Sequence, residues 1–241
     1  PDASVWVAGD AGIGGDVALD VLEVGGVVSV PVGNRLEVNA PPARLRREPV
    51  GPFEPPCPCG PPARDVSASA HYHASANDNA RIGLSPQALV DVADTRTLEL
   101  DCGRFYLTGL RGSGRVRFSL RGRGALFVDG NVDIGELELR LEDDAQWDVL
   151  IKGDLLLRGA FNLGSSQAPS HLRLYVGQSV RLTPAPGRSL SAALYAPRAG
   201  VELGAALDMA GALFVRALSA GAGLSLRYDP EVLELEKTCP E

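Results

Sequence analysis

Two of the three histidines in this sequence form the pair whose spacing best suits metal binding. His71 and His73 are two residues apart, and Asp78 follows shortly after them. On a β-strand, side chains two residues apart share a face, so both imidazoles could bind one metal ion with Asp78 adding an oxygen. The segment is otherwise polar and short of further ligands. This favours an exposed polar connector, and we expect no bound metal.

The four cysteines, Cys57, Cys59, Cys102 and Cys239, form the second group that could do chemistry. An even number suits two disulfides, which would indicate an oxidising compartment. Cys57 and Cys59 form a C-x-C motif, unlike the C-x-x-C of zinc ribbons and redox sites. Residues two apart in an extended segment rarely bond to each other, so we predict that one of them is bonded to Cys102. Free thiols or a metal site are the alternative.

No set of residues in the sequence makes a convincing catalytic or calcium site. A nucleophile triad needs a histidine base, and no Gly-x-Ser-x-Gly motif is present. Residues 129–133 resemble the start of a calcium loop, but Ile134 and Arg140 occupy positions where an EF-hand has Gly and Glu. A Gly-Asn turn between strands explains the same residues. We therefore predict a protein that is not an enzyme and has no cofactor.

A run of arginines without intervening acids lies between Asp101 and Asp129, and it could bind a polyanion. The glutamates that follow one repeat later offer a second interpretation, in which stacked coils place acid beside base. We favour this second interpretation and predict surface ion pairs between aligned side chains about 4.8 Å apart. The predicted pairs are Arg115 with Glu136, Arg117 with Glu138 and Arg121 with Glu142.

A short apolar run that recurs every 19–25 residues or so predicts the fold. A second run, alternating apolar with polar residues, follows each of them, as expected for a strand with one face buried. The spacing favours an all-β, right-handed parallel β-solenoid over a β-sandwich. The first runs begin at Arg104, Ala125, Asp148, Arg173, Ala193 and Ala212.

The pattern divides the chain into four segments. We predict N-terminal β coils packed on the solenoid over residues 1–40, and a Pro-rich, disulfide-pinned excursion over 41–97. The excursion should hold one short helix at 85–90, with Ser85 as its N-cap and Pro86 at its first position. The main solenoid is predicted over 98–229, and residues 230–241 form a C-terminal strand or tail in which 232–236 alternate like a strand.

Charge and composition narrow the cellular context. The formal net charge of −7 argues against a nucleic-acid partner, because such proteins usually carry a basic surface. No apolar stretch is long enough to span a membrane. The chain starts at Pro1 instead of Met, which suggests that a secretion leader has been removed. We therefore expect an extracellular or cell-surface protein.

The last third of the sequence resembles a bacterial surface domain found in pilus-assembly (PilX-like) proteins and in secreted myxobacterial proteins. The matching motifs are Leu-Tyr-Ala-Pro-x-Ala at 194–199, Gly-Ala-Leu-Phe at 211–214 and Tyr-Asp at 228–229. Arg227 stands where that family has His. Residues 56–59 and 101–106 resemble motifs of the myxobacterial members. The resemblance implies a right-handed β-solenoid at the cell surface and no established enzymatic activity.

These observations favour an extracellular structural or cell-surface protein, which could assemble with itself into a filament or surface layer. Its partners would be further copies, other surface proteins or a polysaccharide. A carbohydrate- or polyanion-binding adhesion module is the first alternative. It would need outward aromatic side chains, and few aromatics fall at predicted outward positions. A polysaccharide-active β-helix enzyme is the second alternative, and it would need convergent carboxylates in a groove.

Overall fold

The protein is a parallel β-solenoid of about nine turns with little helix, as the repeat predicted. The computed structural model describes residues 4–7, 11–14, 16–19, 21–51, 65–182, 188–220 and 224–233. All strand pairs in this part of the chain are parallel, because each strand stacks on the equivalent strand of the next coil. Such stacking buries the apolar face that a single coil cannot bury alone.

The N-terminal coils form a small stack of their own, made of three short parallel ladders. Ser4 is aligned with Val21, and Val17 with Leu36, so each coil takes 17 to 19 residues. The stack extends to residue 47, beyond the predicted boundary at residue 40. Its strands are β1 (Ser4–Val7), β2 (Ala11–Gly12), β3 (Val17–Leu19), β4 (Val21–Val24), β5 (Val28–Val30), β6 (Leu36–Val38) and β7 (Leu45–Arg47).

The main solenoid also has three ladders, because the chain turns three corners in each coil. Long strands such as β10 contribute to two ladders, with a change of register between Gly112 and Arg115. The strands are β8 (Thr95–Leu100), β9 (Gly103–Leu107), β10 (Leu110–Leu120), β11 (Arg123–Val128), β12 (Val132–Leu141), β13 (Gln146–Ile151), β14 (Leu155–Leu157), β15 (Phe161–Gly164), β16 (Leu172–Val176), β17 (Val180–Leu182), β18 (Arg188–Leu203), β19 (Leu207–Ala220) and β20 (Leu224–Tyr228).

We call the three sides of the main solenoid faces A, B and C. Face A consists of β9, β11, β13, β16 and the middle parts of β18 and β19. Face B consists of β8, the second halves of β10 and β12, β15, the first parts of β18 and β19, and β20. Face C consists of the first parts of β10 and β12, then β14, β17 and the last parts of β18 and β19.

Alternation along the strands explains why this sequence closes into coils. In the second half of β10, Val116, Phe118 and Leu120 are fully buried, while the residues between them are not. The inward side chains of successive coils form one continuous apolar core, from Leu100 to Leu224. Strand β1 contacts β20, so the N-terminal coils join the C-terminal end of the main solenoid.

The segment that precedes the main solenoid differs from its prediction. The one α-helix among the described residues, α1 (Val66–His73), lies in the stretch for which the sequence favoured an exposed polar connector. The Asp65 carboxylate caps it by accepting from the Ser67 and Ala68 amides. The helix predicted at 85–90 is wrong, and residues 86–89 form hydrogen-bonded turns. The Ser85 hydroxyl accepts from the Gln87 amide as an N-cap would. No helix continues from there, because the Leu89 carbonyl and the Val92 amide bond to the backbone of Arg111 in the main solenoid.

Three 3₁₀ helices complete the described structure: Asn79–Ile82, Pro169–His171 and Pro230–Leu233. The last of them replaces the beginning of the strand predicted at 232–236, and residues 234–236 lie outside the described residues. Asp229 accounts for this difference, because its carboxylate accepts a hydrogen bond from the Glu231 amide and starts a tight turn at Pro230.

Candidate functional surface

Two of the three predicted ion pairs are present on face B. Arg115 is aligned with Glu136 and contacts it through its guanidinium group. The Nε atom of Arg117 lies 2.6 Å from Oε2 of Glu138. The predicted Arg121–Glu142 pair is not formed.

The third pair fails because both of its members have other partners. Arg121 follows the end of β10, and its Nη1 atom lies 3.4 Å from Oε2 of Glu99 in the preceding coil. Glu142 instead accepts from the Ser119 hydroxyl and pairs with Arg140. The one-repeat count therefore holds within the strand and fails just beyond its end, where other partners compete for both side chains.

Ion pairs between coils extend well beyond the predicted set. Among the described residues, every ion pair except Arg140–Glu142 joins successive coils. The surface charges that form pairs are therefore arranged along the stack. The pairs that the sequence did not predict are Lys152–Asp129, Arg158–Asp133, Arg173–Asp148 and Arg181–Glu202, besides those of Arg121 with Glu99 and Asp101.

The turn at 129–133, which resembles a calcium loop in sequence, is a junction between coils. The Asp129 carboxylate accepts from the Tyr106 hydroxyl at 3.1 Å and from the Lys152 ammonium group at 2.6 Å. Asn131 accepts from the Asp154 amide at 3.1 Å. Burial, and then the hydrogen bond to Asp129, raise the pKa of Tyr106, so its hydroxyl stays neutral and donates.

The histidine pair lies on helix α1 and not on a strand. On a helix, side chains two residues apart do not face each other, so His71 and His73 cannot share a ligand as predicted for a strand. The ring of His73 stacks on the ring of Phe127, with their centroids 3.8 Å apart. The Nδ1 atom of His73 lies 2.6 Å from the Ala76 carbonyl oxygen. The Asp78 carboxylate accepts from the Arg104 amide at 2.7 Å. No cluster that could hold a metal occurs in the part of the chain that the structure describes.

Cys102 lies at the corner between β8 and β9, where it is exposed and has no disulfide partner among the described residues. Gly122 of the next coil lies directly beneath its sulfur atom, and a side chain at that glycine would collide with it. Cys57, Cys59 and Cys239 lie outside the described residues. The bond from Cys102 to Cys57 or Cys59 therefore stays a prediction.

An outward-facing column of large side chains follows face A, and the sequence prediction missed it. Aligned residues on successive coils are Tyr106, Phe127, Leu150, Tyr175, Tyr195 and Phe214. The expectation that few aromatics point outward was therefore wrong. These strands are apolar on both sides, so alternation could not distinguish the two faces. The sequence did hold a signal for this column, because each of the recurring apolar runs has a large outward residue directly after a large inward one.

Helix α1 covers the first half of this column. Val66 packs with Tyr106, Phe127 and Leu150 in a small cluster separate from the main core. In the second half, Tyr195 and Phe214 stack with an interplanar angle of 8° and ring centroids 5.1 Å apart. These rings present their faces to each other along the axis of the solenoid. The two ring faces that meet are therefore closed to an approaching molecule.

The Gly and Tyr-Asp motifs of the C-terminal third meet at one corner between faces B and A. Gly211 has a φ of 124°, and a Cβ there would lie 2.2 Å from the Ala192 carbonyl, so the position requires glycine. The Asp229 amide donates to the Gly211 carbonyl at 2.9 Å. The Asp229 carboxylate accepts from the Ser170 amide at 3.0 Å, which ties the Pro169–His171 turn to β20. Arg227 donates to the Ser166 carbonyl in the same region.

A small void lies in the described part of the core. A void of about 10 Å³ inside the core is lined only by apolar side chains, including Phe118 and Leu139. It is no larger than one water molecule requires, and it lacks polar partners for water. None of the helices among the described residues is long and apolar enough to cross a membrane.

Comparison with known proteins places the chain in a family and adds no relative of known activity. No curated protein matches the sequence, and no solved structure matches the fold. A family model matches residues 62–235, which include α1, the main solenoid and the Gly211–Asp229 corner. The chain therefore belongs to the family described as Domain of unknown function (DUF7305).

Proposed function

We propose that the protein is an extracellular structural module that acts as a stiff rod and presents its outer faces to partners at a cell surface. The pairing of surface charges between successive coils carries this proposal. Each pair links one coil to the next, and in a solenoid these nearest-neighbour contacts determine how strongly the coils hold together. Exposed pairs contribute only about 0–1 kcal/mol each, so their main effect is on alignment.

The same pairing argues against a polysaccharide-cleaving enzyme. Such an enzyme needs two carboxylates that converge on a substrate and are free to exchange protons with it. Here Asp129, Asp133 and Asp148 each have a basic partner on a neighbouring coil. Carboxylates held in this way support the stack.

The context of the family resemblance supports the proposed location. The motifs at 194–199, 211–214 and 228–229 are similar to those of pilus-assembly (PilX-like) and secreted myxobacterial proteins, which implies the cell surface and a right-handed coil. We propose that the sides of the rod contact other surface proteins or, at the high local concentration of a cell surface, further copies of the same protein. A disulfide from Cys102 would suit the same compartment.

The carbohydrate- or polyanion-binding alternative has weaker support. A sugar platform needs an exposed ring face, whereas Tyr195 and Phe214 stack on each other. Six arginines lie between residues 104 and 123, and three of them, Arg115, Arg117 and Arg121, are paired with acids. This pairing reduces the attraction of the run for a polyanion. Binding to an acidic polysaccharide that falls steeply with salt would favour this alternative.

Antibody labelling of cells that naturally produce the protein tests the proposal. An antibody raised against the purified protein should label intact cells as strongly as permeabilised cells. An antibody against a cytosolic protein of the same cells serves as the control and should label only permeabilised cells. Labelling by both antibodies only after permeabilisation would refute an extracellular location.

A further inference from the structure

Among the described residues, β7 and β8 are outermost strands at opposite ends of the stack, and each has an arginine at a position that lines the core elsewhere. Arg47 of β7 is aligned with Val30, and Arg96 of β8 is aligned with Val116. Both valines are fully buried. Aligned residues of parallel strands lie on the same side of a ladder, so each arginine continues an apolar column at the point where the stack ends.

The environment of Arg47 shows how the apolar column ends. Its Nη1 atom donates to the Asn34 carbonyl at 2.7 Å, so the guanidinium group reaches the last turn of the preceding coil. Leu45, two residues earlier, is aligned with the fully buried Val28 but is itself 38% exposed. The core therefore reaches its edge at β7, where the apolar column continues with Arg47, whose charged side chain is exposed.

The other end is partly covered by the residues that precede β8. Asn79 forms two hydrogen bonds to the backbone of Tyr106 and so pairs with the edge of face A. Leu89 and Val92 are buried and bond to the backbone of Arg111 on face C. Among the described residues, no strand pairs with the outer edge of β8 on face B, and there Arg96 is exposed.

We propose that Arg47 and Arg96 prevent copies of this protein from stacking end to end. An open strand edge is a template for pairing with another chain. A second copy that extended the core over either end would bury a guanidinium group, which costs several kcal/mol unless the group is fully paired. Each backbone hydrogen bond gained at the new interface contributes only about 1 kcal/mol.

Opposite charges at the two ends do not overcome this cost. Asp91 and Asp94 are exposed near β8, whereas Arg44 and Arg46 are exposed on or beside β7. Attraction between such exposed groups contributes about 0–1 kcal/mol per pair and is weakened by salt. It can bring two ends together without allowing their cores to join. This inference goes beyond the proposed function, because it concerns the ends of the stack and not its cellular location or the partners of its sides.

The test replaces both end arginines, Arg47→Val and Arg96→Val, in the full chain. Sedimentation velocity should show a monomeric wild type, while the double variant forms linear oligomers with an association constant at least about tenfold higher. The control is the double variant Arg46→Val and Arg104→Val, which removes the same charge from exposed positions outside the core columns and should stay monomeric. Circular dichroism should show that all three proteins are folded.

If the valine variant does not fold, the double variant Arg47→Met and Arg96→Met is measured instead. Methionine keeps a long apolar side chain similar to the apolar part of arginine. The inference is wrong if a folded variant lacking both arginines stays monomeric wherever the wild type does. It is also wrong if the wild type itself forms linear stacks. Neither result bears on the antibody labelling. The proposed extracellular location and the proposed role of the two arginines can therefore be refuted separately.

Discussion

The N-terminal coils and the main solenoid share one design but differ in how much core holds them together. Among the described residues of the N-terminal coils, the buried core consists of Leu22, Val28 and Val30. The main solenoid has a continuous core that includes Trp147 and Phe118, both fully buried. Because the stability of a solenoid is close to a sum over neighbouring coils, the smaller core predicts a stack that opens more readily.

The two regions also differ in the polar contacts that join their coils. Within the described part of residues 4–51, coils are joined by side-chain hydrogen bonds, such as that from the Arg35 amide to Asp16 and from the Ser29 hydroxyl to Glu48. No ion pair occurs there, whereas the main solenoid has several. The comparison suggests that parallel stacking needs only an apolar inner face, and that charge pairs are added where strands are long enough to align them.

The largest effect should come from removing a core aromatic in the main solenoid. Trp147 is fully buried, stacks on Phe105 at 6.0 Å and occupies the space that Gly124 leaves open. We expect Trp147→Ala to lower the free energy of unfolding by about 3–5 kcal/mol. Val28→Ala truncates a core residue of the N-terminal coils, and we expect it to lower the free energy of unfolding by about 2 kcal/mol.

Hydrogen exchange distinguishes where each variant opens. Val28→Ala should increase exchange only in residues 11–47, because β1 is the described strand that joins this stack to β20. Trp147→Ala should increase exchange throughout residues 95–228. Equal loss of protection in both regions from Val28→Ala would mean that the chain unfolds as one unit, and the comparison between the two stacks would then fail.

The second prediction asks whether a covalent bond fixes the start of the main solenoid. If Cys57 or Cys59 is bonded to Cys102, reduction should lower the free energy of unfolding by roughly 3–4 kcal/mol, because the bond closes a long loop. Non-reducing peptide mapping should recover a peptide that joins residue 102 to residue 57 or 59. Four free thiols in protein purified without reductant would end the idea, and Cys102→Ser is the control for the stability measurement.

The repeat could be predicted from sequence because it depends on local rules, and the misses occurred where tertiary contacts decide. Glycine turns and alternating strands mark each coil whatever surrounds them. Helix α1 lacks a strong pattern of its own and is stabilised by packing on Phe127 and Leu150, which lie far away in sequence. The failure of the Arg121–Glu142 pair has a similar cause, because Glu99 of another coil competes for Arg121.

The third prediction concerns the corner where the two regions meet. Asp229 follows β20, the strand that contacts β1, and it accepts from the Ser170 and Glu231 amides. Asp229→Ala should cost about 1–2 kcal/mol, because the buried Ser170 amide would lose its partner. Thermal unfolding measures the loss. Asp208→Ala on the neighbouring strand is the control, because that carboxylate is exposed, and it should change stability little. Equal effects from both variants would contradict a special role for Asp229.

The smallest expected effect, and the most direct test of the charge pairs, is a double-mutant cycle on Arg117 and Glu138. Their side chains are 42% and 25% exposed, so the pair is partly shielded from water but not buried. We expect a coupling energy below about 1 kcal/mol that decreases as salt is added. The matched control is the same cycle on Arg121 and Glu142, which do not contact each other and should show no coupling. If both cycles give zero, the aligned charges do not stabilise the stack, and its alignment depends on the apolar columns alone.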